Sequence, residues 1–437
     1  MSAAAVGSRA GDGAVATPPQ GLPRLLASVR DAGRPTGLAE HVRLHGDMRD
    51  AVAGPSLIPL VAASGLAGRG GGAFPTAEKL RAVGSRAGAP VVVVNGVEGE
   101  PASGKDRALL RAVPHLVLDG ALLAAGAVGA QDVIVAVGRR ATLESQTVAA
   151  AIKERSHRRV DGRCSVNLVV APDGFVNGEE TALINFLNGR PAKPTFTPPR
   201  PFERGVGGAP TLVQNVETLA HLALIARFGP RWFREVGMPD EPGSTLVTIS
   251  GAVARPGIHE IEIGKSLARL VEDAGGRPED VSAYLVGGFF GTWFPTSAAA
   301  DLALSDSEVR RRGGGLGARV IVALPTKTCA VGEVARVARY LATESAGQCG
   351  PCVNGLRAIA DALERLAHGE ADERDRLRRW VEMVGGRGAC KHPDGATRFV
   401  ASALKVFAQE IELHLRYGRC ETSTVGVLPV ARRTRRA

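Results

Sequence analysis

The sequence predicts an α/β domain, then a β-grasp domain, then a C-terminal α-helical bundle, because its texture changes twice along the chain. Between about 55 and 235, short β-branched runs alternate with glycine-rich turns and helical stretches. Val91–Asn95, Val133–Val137 and Val166–Val170 read most clearly as strands, each followed by a loop and a helix-like pattern. That alternation is the signature of a layered α/β domain with a largely buried sheet. From about 243 to 300 the pattern becomes strand (Leu246–Ile249), turn (Arg255-Pro256-Gly257), strand (His259–Ile263), short helix (Ser266–Ala274) and strand (Ala283–Val286). Leu267, Leu270 and Val271 share one face of that helix, and the whole fits a small β-grasp-like module. After about 331, apolar residues recur at helical spacing in four sets. These are Val331, Val334, Val337, Leu341; Leu356, Ile359, Leu363, Leu366; Leu377, Trp380, Val381, Val384; and Val400, Leu404, Phe407, Ile411. Four amphipathic helices in sequence suggest a bundle whose stripes are core.

A chain of 437 residues is too long for one compact core, so two or three domains are expected. The divisions are a disordered leader at 1–40, the α/β domain at 41–240, the β-grasp domain at 241–328, the helical domain at 329–420 and a basic tail at 421–437. Met1 to about Gln20 is small, polar and Pro/Gly-rich, without the basic start and apolar run of a signal peptide. No stretch approaches the roughly 20 uncharged apolar residues of a membrane helix. The expected location is cytoplasmic, with any membrane association made through a partner. A net charge of +10 invites a nucleic-acid reading. However, the excess lies in scattered clusters (Arg310–Arg312, Arg374–Arg379, and Arg432, Arg433, Arg435, Arg436), and aromatic residues are only 4%. Stacking platforms interleaved with bases are therefore missing, and a solvated face or a docking surface for an acidic partner fits better.

The run from Gly65 to Lys79 is the most informative stretch. Glycines at 68, 70, 71 and 72 free the backbone to take positive φ, so successive N–H groups can converge on an anion where the loop opens a helix at Pro75-Thr76. Lys79 adds a fixed positive charge. The spacing is neither a Walker pattern nor a Rossmann fingerprint, and alone it also describes a flexible turn. Further along, Val91-Val-Val-Val-Asn-Gly-Val-Glu-Gly-Glu-Pro101 is a buried strand ending in an amide and two carboxylates, at the strand end where ligands bind in open α/β sheets. Gly178-Glu-Glu-Thr181 and Gln214-Asn-Val-Glu-Thr218 add acids and amides. Such clusters are costly to bury without a polar ligand; exposed loops and helix caps are the alternative.

Gly68-Arg-Gly-Gly-Gly-Ala-Phe-Pro-Thr76, Glu98-Gly-Glu-Pro101, Lys105-Asp-Arg107, Gly178-Glu-Glu-Thr-Ala182 and Asn215-Val-Glu-Thr-Leu219 together resemble the flavin-bearing, NADH-oxidising F-type subunit of respiratory complex I. Related subunits occur in bidirectional hydrogenases and NAD-linked formate dehydrogenases. The matches are collinear over roughly residues 40–415. The resemblance implies an FMN domain, a soluble-ligand-binding β-grasp domain and a helical [4Fe-4S] domain, in that order. It implies that Gly68, Arg69, Gly70, Gly71 and Lys79 wrap the FMN phosphate and ribityl chain, with polar contacts from Asn95, Gln214 and Asn215. Phe74 stacks on the adenine side of NADH, while Glu98 and Glu100 lie on the dinucleotide side, Glu100 by the adenine ribose. Gly178 leaves room at the flavin face, with Glu179 and Glu180 lining the nicotinamide side. Hydride transfer needs stacked rings and excluded water more than an acid or base, so no catalytic side chain is named. Val97 stands where the family usually has Asp, Phe175 replaces a Tyr, Gln214 an Asn, and Leu80 a Trp.

Cys349 and Cys352 form a C-x-x-C, which in a large, cytosol-like chain reads as metal, cluster or redox chemistry. The loop Glu344–Cys352 resembles the family's cluster loop, with Cys390 as the distant cysteine. Ala346, however, occupies the first ligand position. A [4Fe-4S] cluster completed by water, His392, Ser345 or a partner residue is one reading. A [3Fe-4S] cluster, zinc or reactive thiols is a second, and an empty site a third. Cys164, Cys329 and Cys420 read as small structural hydrophobes. Two functions follow: an FMN-dependent NADH dehydrogenase passing electrons to an iron–sulfur centre or partner subunit, or a flavin-carrying relay or scaffold without its own NADH oxidation.

Overall fold

The computed structural model describes residues 18–29, 34–158, 160–162, 164–420, 422 and 425–430. Strands β1 (Val91–Gly96), β2 (Asp132–Gly138), β3 (Ser165–Ala171) and β4 (Thr211–Asn215) form an all-parallel sheet in the order β3-β2-β1-β4. Val92 and Val94 of β1 join a core with Val133, Val135, Leu212 and the helices Leu57–Ser64, Thr76–Gly84, Pro114–Val128 and Val216–Phe233. Val93 faces the other way, into a smaller cluster with Val97, Ala136, Val213 and Leu183. Burial on both faces explains why β1 is a continuous valine run and not an alternating one. Helix Pro114–Val128 is buried almost entirely and is apolar except for His115 and Asp119, which pair with Glu154 and with His41 and Arg155. Among the described residues, no single helix is long and apolar enough to cross a membrane.

A second sheet is mixed. It contains β5 (Ser244–Gly251), β6 (Gly257–Glu262), β7 (Val281–Val286), β8 (Thr292–Pro295) and β9 (Val320–Pro325), in the order β6-β5-β9-β7-β8. One face packs on helix Leu267–Asp273. The other, through Leu285, Val320, Val322 and Leu324, shares a core with the C-terminal helices. The core therefore runs continuously from this sheet into the chain beyond residue 329. The C-terminal helices are Ala330–Thr343, Arg357–Ala367, Arg374–Val384, His392–Val406 and Ala408–Tyr417, with a π-helical turn at Pro351–Leu356. The fourth predicted stripe is thus two helices: the chain breaks at Phe407, whose buried ring serves both sides of the break.

The expected disordered leader needs correction where it is described. The backbone N–H groups of Arg24, Leu25 and Leu26 donate to the Glu260 carboxylate at 2.9–3.2 Å. The Arg24 guanidinium donates to Trp232 O at 2.9 Å and lies 4.2 Å over the Trp232 ring, while Leu25 is buried in the first core. Composition missed this because two leucines and one arginine suffice to dock a segment that is polar on average. Residues 1–17 lie outside the described part, as do Arg432, Arg433, Arg435 and Arg436 of the predicted tail. Before them, Leu428 is buried and its N–H donates to Glu333 at 2.9 Å, so this part of the tail is docked. The other arginine clusters are paired locally: Arg311 and Arg312 with Glu308, Arg374 with Asp372 and Glu412.

Helices Pro114–Val128 and Val216–Phe233 pack tightly at Gly120, where a Cβ would sit 1.9 Å from Leu219 O. Backbone cannot yield like a flexible side chain, so Gly120→Ala is expected to destabilise the chain by about 3 kcal/mol. An unchanged urea midpoint would contradict this packing.

Candidate functional site

The strand order reverses between β1 and β4, because the chain leaves β1 towards β2 and β3 and returns on the opposite side. Parallel sheets open a crevice beyond the strand C-termini at such a point. Asn95 and Asn215, the last polar residues of β1 and β4, are register partners there. Asn95 Nδ2 donates to Gly178 O at 2.8 Å. Asn215 caps helix Val216–Phe233, accepting from Glu217 N at 3.0 Å. Gln214 is 5% exposed and its Nε2 has no protein partner.

The glycine-rich loop closes onto these strand ends. It is pinned at its base by Gly68 N to Phe74 O (2.8 Å) and Thr76 N to Leu66 O (2.9 Å). Gly70 lies against Asn215, whose Cβ would be 3.1 Å from a Cβ at position 70. Gly71 has φ +102 and Ala73 φ +48. A non-glycine residue there costs on the order of 1 kcal/mol and persists only where the surroundings dictate it. Helix Thr76–Gly84 starts from the loop, and the buried Thr76 Oγ1 has no partner. Lys79 Nζ lies 3.0 Å from Glu180 Oε2, both partly exposed, and Phe74 is 57% exposed at the loop tip.

Beneath the loop lies a buried ionic knot that the motifs touched without a role being assigned. Lys105 Nζ is 2.7 Å from Asp106 Oδ1 and 3.0 Å from Glu217 Oε2. Asn215 Nδ2 donates to Asp106 Oδ2 at 2.6 Å. Glu217 Oε1 accepts from Thr245 Oγ1 (2.8 Å) and Leu246 N (2.9 Å) on β5. Burial alone would raise the Glu217 carboxyl, but Lys105, His221 and Arg319 outweigh it and hold it well below its usual range. Arg319, at φ +55, donates to Arg69 O at 3.1 Å and pairs with Asp306 at 3.2 Å. The signal in the sequence was a pair of motif residues of opposite charge, Lys105 and Glu217.

Several of the expected site residues have protein partners of their own. The Arg69 guanidinium is 2% exposed and donates to Ser244 O (3.2 Å), Ala67 O (3.2 Å) and Pro242 O (3.4 Å), which ties the loop to β5. At Gly178 a Cβ would sit 2.3 Å from Val97 O, so backbone packing by itself requires glycine there. Glu179 caps helix Glu180–Leu187, accepting from Thr181 N (2.9 Å) and Ala182 N (3.0 Å). Glu98 accepts from Ser103 Oγ (2.5 Å) and from the Asp106 and Arg107 N–H groups (3.3 Å), which holds the start of helix Lys105–Ala112. Glu100 accepts from Phe289 N at 2.7 Å and Ala102 N at 3.2 Å, bridging to the second sheet. Val97 and Leu80 are core.

The cysteine loop docks on the same region. Gln348 Nε2 donates to Pro194 O at 2.8 Å, and Glu344 accepts from Phe175 N at 3.2 Å. The Phe175 ring packs at 4.7 Å from Phe290, 5.7 Å from His392 and 6.0 Å from Tyr340. Cys352 follows Cys349 into the π-helical turn. Burial, together with Cys349 and Cys390 nearby, pushes its thiol up to about 12. Burial also raises the Cys390 thiol, with Glu179 and Cys349 adding to it. Cys349 thus influences both other thiols, and Glu179 influences Cys390. Ser345 Oγ is spent on Ala342 O at 3.0 Å; His392 Nε2 lies 2.8 Å from Leu341 O, and its buried Nδ1 has no partner.

Residues 61–224 match the family described as Nuo51 FMN-binding domain, 332–414 the NADH-ubiquinone oxidoreductase-F iron-sulfur binding region, and 246–288 the SLBB domain. Over 378 residues the chain is 32% identical to the second F-type subunit of NADH-quinone oxidoreductase from Rhizobium meliloti (strain 1021), covering 83% of this chain and 90% of that protein. The chain belongs to the F-type subunit family of NADH-quinone oxidoreductases. The F-type subunit of Mycobacterium tuberculosis (strain H37Rv) is 33% identical over 380 residues, covering 83% of this chain and 85% of that one. Among solved structures, the NAD+-reducing [NiFe]-hydrogenase in its H2-reduced state superposes with a TM-score of 0.76 at 32% identity, covering 83% of this chain. This F-type chain spans only 62% of that longer hydrogenase chain. The air-oxidised state gives a TM-score of 0.78 at 31% identity, covering 90% of this chain and 67% of that one.

Removing one partner of a buried ion pair strands the other. Glu217→Ala is therefore expected to cost about 3–5 kcal/mol in urea unfolding; a loss under about 1 kcal/mol would mean that water reaches Lys105. A pH effect follows from Glu100, whose carboxyl burial raises to about 7. The folded chain then keeps a proton that the unfolded chain releases near the usual carboxylate range, about 4.3. Its contribution is full below that range and is lost as pH rises to about 7. The stability of the wild type relative to Glu100→Gln should accordingly fall across this window, and a flat difference would contradict it.

Proposed function

We propose that this family member oxidises NADH with bound FMN and passes the electrons to an iron–sulfur centre, with a partner subunit as onward acceptor. The observation that carries the reading is the buried, unpartnered Gln214 Nε2 at the β1/β4 crevice, together with the unpartnered Thr76 Oγ1 at the start of a helix. A buried donor without a partner costs about 1–3 kcal/mol, and a phosphate-bearing ligand would remove that cost. The donor set fits an anionic, polyhydroxylated cofactor: loop N–H groups around Gly68, Gly70 and Gly71, the Lys79 ammonium, and the amides of Asn95, Gln214 and Asn215. Bound FMN supplies the capacity to accept a hydride and release electrons singly. Lys79 would exchange its bond with Glu180 for a phosphate oxygen, and the exposed Phe74 ring would cover the adenine of the dinucleotide, with Glu180 on the nicotinamide side. Cys349, Cys352 and Cys390 are the protein ligands proposed for a [4Fe-4S] cluster whose fourth position, opposite Ala346, is filled from outside this motif.

In the same proposal, residues 41–240 are the FMN/NADH domain, 241–328 a soluble-ligand-binding β-grasp domain and 329–420 the helical cluster domain. Cytoplasmic location, with membrane association through a partner, completes it. The relay reading keeps one supporting observation: Val97 lies in an apolar cluster, where a carboxylate would otherwise meet the flavin edge.

Anaerobically purified chain should carry FMN that NADH bleaches; flavin that stays oxidised would favour the relay. Lys79→Ala should lower FMN occupancy at least tenfold, and Gln214→Leu should lower it by a smaller factor. Wild-type occupancy in both would remove the cradle argument. Cys390→Ser should abolish the EPR signal of the reduced cluster, and wild-type iron at background would overturn the cluster assignment.

A further inference from the structure

The chain has six cysteines, and the flavin and cluster reading uses three. Two of the others, Cys329 and Cys420, lie far apart in sequence yet meet in the core of the C-terminal helices. Cys329 is the N-cap of helix Ala330–Thr343. Glu410 and His414 are four residues apart on helix Ala408–Tyr417, and so share a face. Cys420 follows Gly418, whose φ of +72 turns the chain back. One ligand atom from each of Cys329, Glu410, His414 and Cys420 lies within 4.8 Å of all the others.

We propose that Cys329, Glu410, His414 and Cys420 form a structural zinc site, distinct from the Cys349, Cys352 and Cys390 group. The spacing suits the ion. With Zn–S near 2.3 Å and Zn–N or Zn–O near 2.0 Å, tetrahedral ligand atoms lie about 3.3–3.8 Å apart. Cys329 Sγ is 3.4 Å from His414 Nε2, and His414 Nε2 is 3.8 Å from Glu410 Oε1.

The surroundings are those of a ligand set. His414 Nδ1 lies 2.6 Å from Ala367 O, a bond that fixes its proton on Nδ1 and presents the Nε2 lone pair to the other three residues. Cys329 Sγ accepts from Gly332 N at 3.2 Å, and Glu410 Oε1 from Val331 N at 3.0 Å. Both donors belong to the first turn of one helix, whose positive end offsets the charge of two thiolates and a carboxylate. Cys420 Sγ is 2.9 Å from Thr422 O and 3.2 Å from Thr422 Oγ1, so its thiol proton has an acceptor before metal binding and its thiolate a donor after it. Metal binding releases thiol protons. Cys329, His414 and Cys420 are 6%, 3% and 9% exposed, and four protein ligands leave no open position. The role is therefore structural and not catalytic. The ion would staple the chain after helix Ala408–Tyr417 to the start of helix Ala330–Thr343, bracketing the segment that carries Cys349, Cys352 and Cys390.

The test uses the full chain and reads zinc and iron together. Purified wild type should hold one equivalent of zinc, which Cys390→Ser retains and which both Cys329→Ala and His414→Ala lose. X-ray absorption at the zinc edge should report two sulfur ligands, and a chelator should lower Tm, with zinc alone restoring it. Zinc-free wild type whose Tm does not respond to added zinc would overturn the proposal. So would zinc with three sulfur ligands that Cys390→Ser removes, or a Cys329–Cys420 disulfide in unreduced peptides. Should the alanine variants fail to fold, the sulfur count and the chelator response of the wild type decide alone. FMN content and NADH bleaching do not enter these readouts, so the zinc site stands or falls separately from the redox function.

Discussion

The architecture hangs on Glu217. Its carboxylate is fully buried, faces Lys105 on one side and accepts two hydrogen bonds from β5 on the other. Taking both charges out of water costs several kcal/mol each, so such a pair persists only where their mutual attraction and further hydrogen bonds offset that cost. Here that demand fixes geometry. Helix Val216–Phe233 must start directly after β4, β5 must lie across its first turn, and Asn215 and Asp106 must stay in contact. Arg69 and Arg319 extend the knot to the glycine-rich loop and the segment before β9.

From this constraint the crevice follows. A loop with strained φ values at its tip is held at its base by backbone bonds, underneath by the ionic knot and laterally by Asn215. Among the buried donors left without a protein partner are Gln214 Nε2 on β4 and Thr76 Oγ1 at the start of the helix that follows the loop. The cysteine loop reaches this region from the other side through Phe175, Pro194 and Glu344. The loop after β3 and the C-terminal helices thus meet across packed aromatic rings, Phe175 against Phe290, Tyr340 and His392.

Much of the fold was legible. β1 and β2 declared themselves because strands buried on both faces need unbroken β-branched runs, whereas β3, a largely exposed edge strand, showed only as a short run of Val and Leu. β4 and β9 did not: β4 is five residues ending in two amides, and β9 gains its place at the centre of the mixed sheet only through pairing with β5 and β7. The stripe through Val400 and Ile411 kept helical spacing across the break at Phe407, because periodicity records which side faces the core and not whether the axis continues. Within the site, position was more readable than role. Gly70 lies against Asn215, Asn95 and Asn215 are register partners at the strand ends and Lys79 meets Glu180, while Arg69, Glu98 and Glu179 hold backbone in place.

By itself, the sequence determined the layered α/β order, the loop that can gather N–H groups, the cysteine spacing with its gap at Ala346, and the family. All of these rest on local spacing and on residue types that few conformations accept. Tertiary structure decided which charges are buried together and that Cys329 and Cys420 meet at His414. Those outcomes depend on groups tens to hundreds of residues apart, whose desolvation and hydrogen bonding are set only when the chain closes around them.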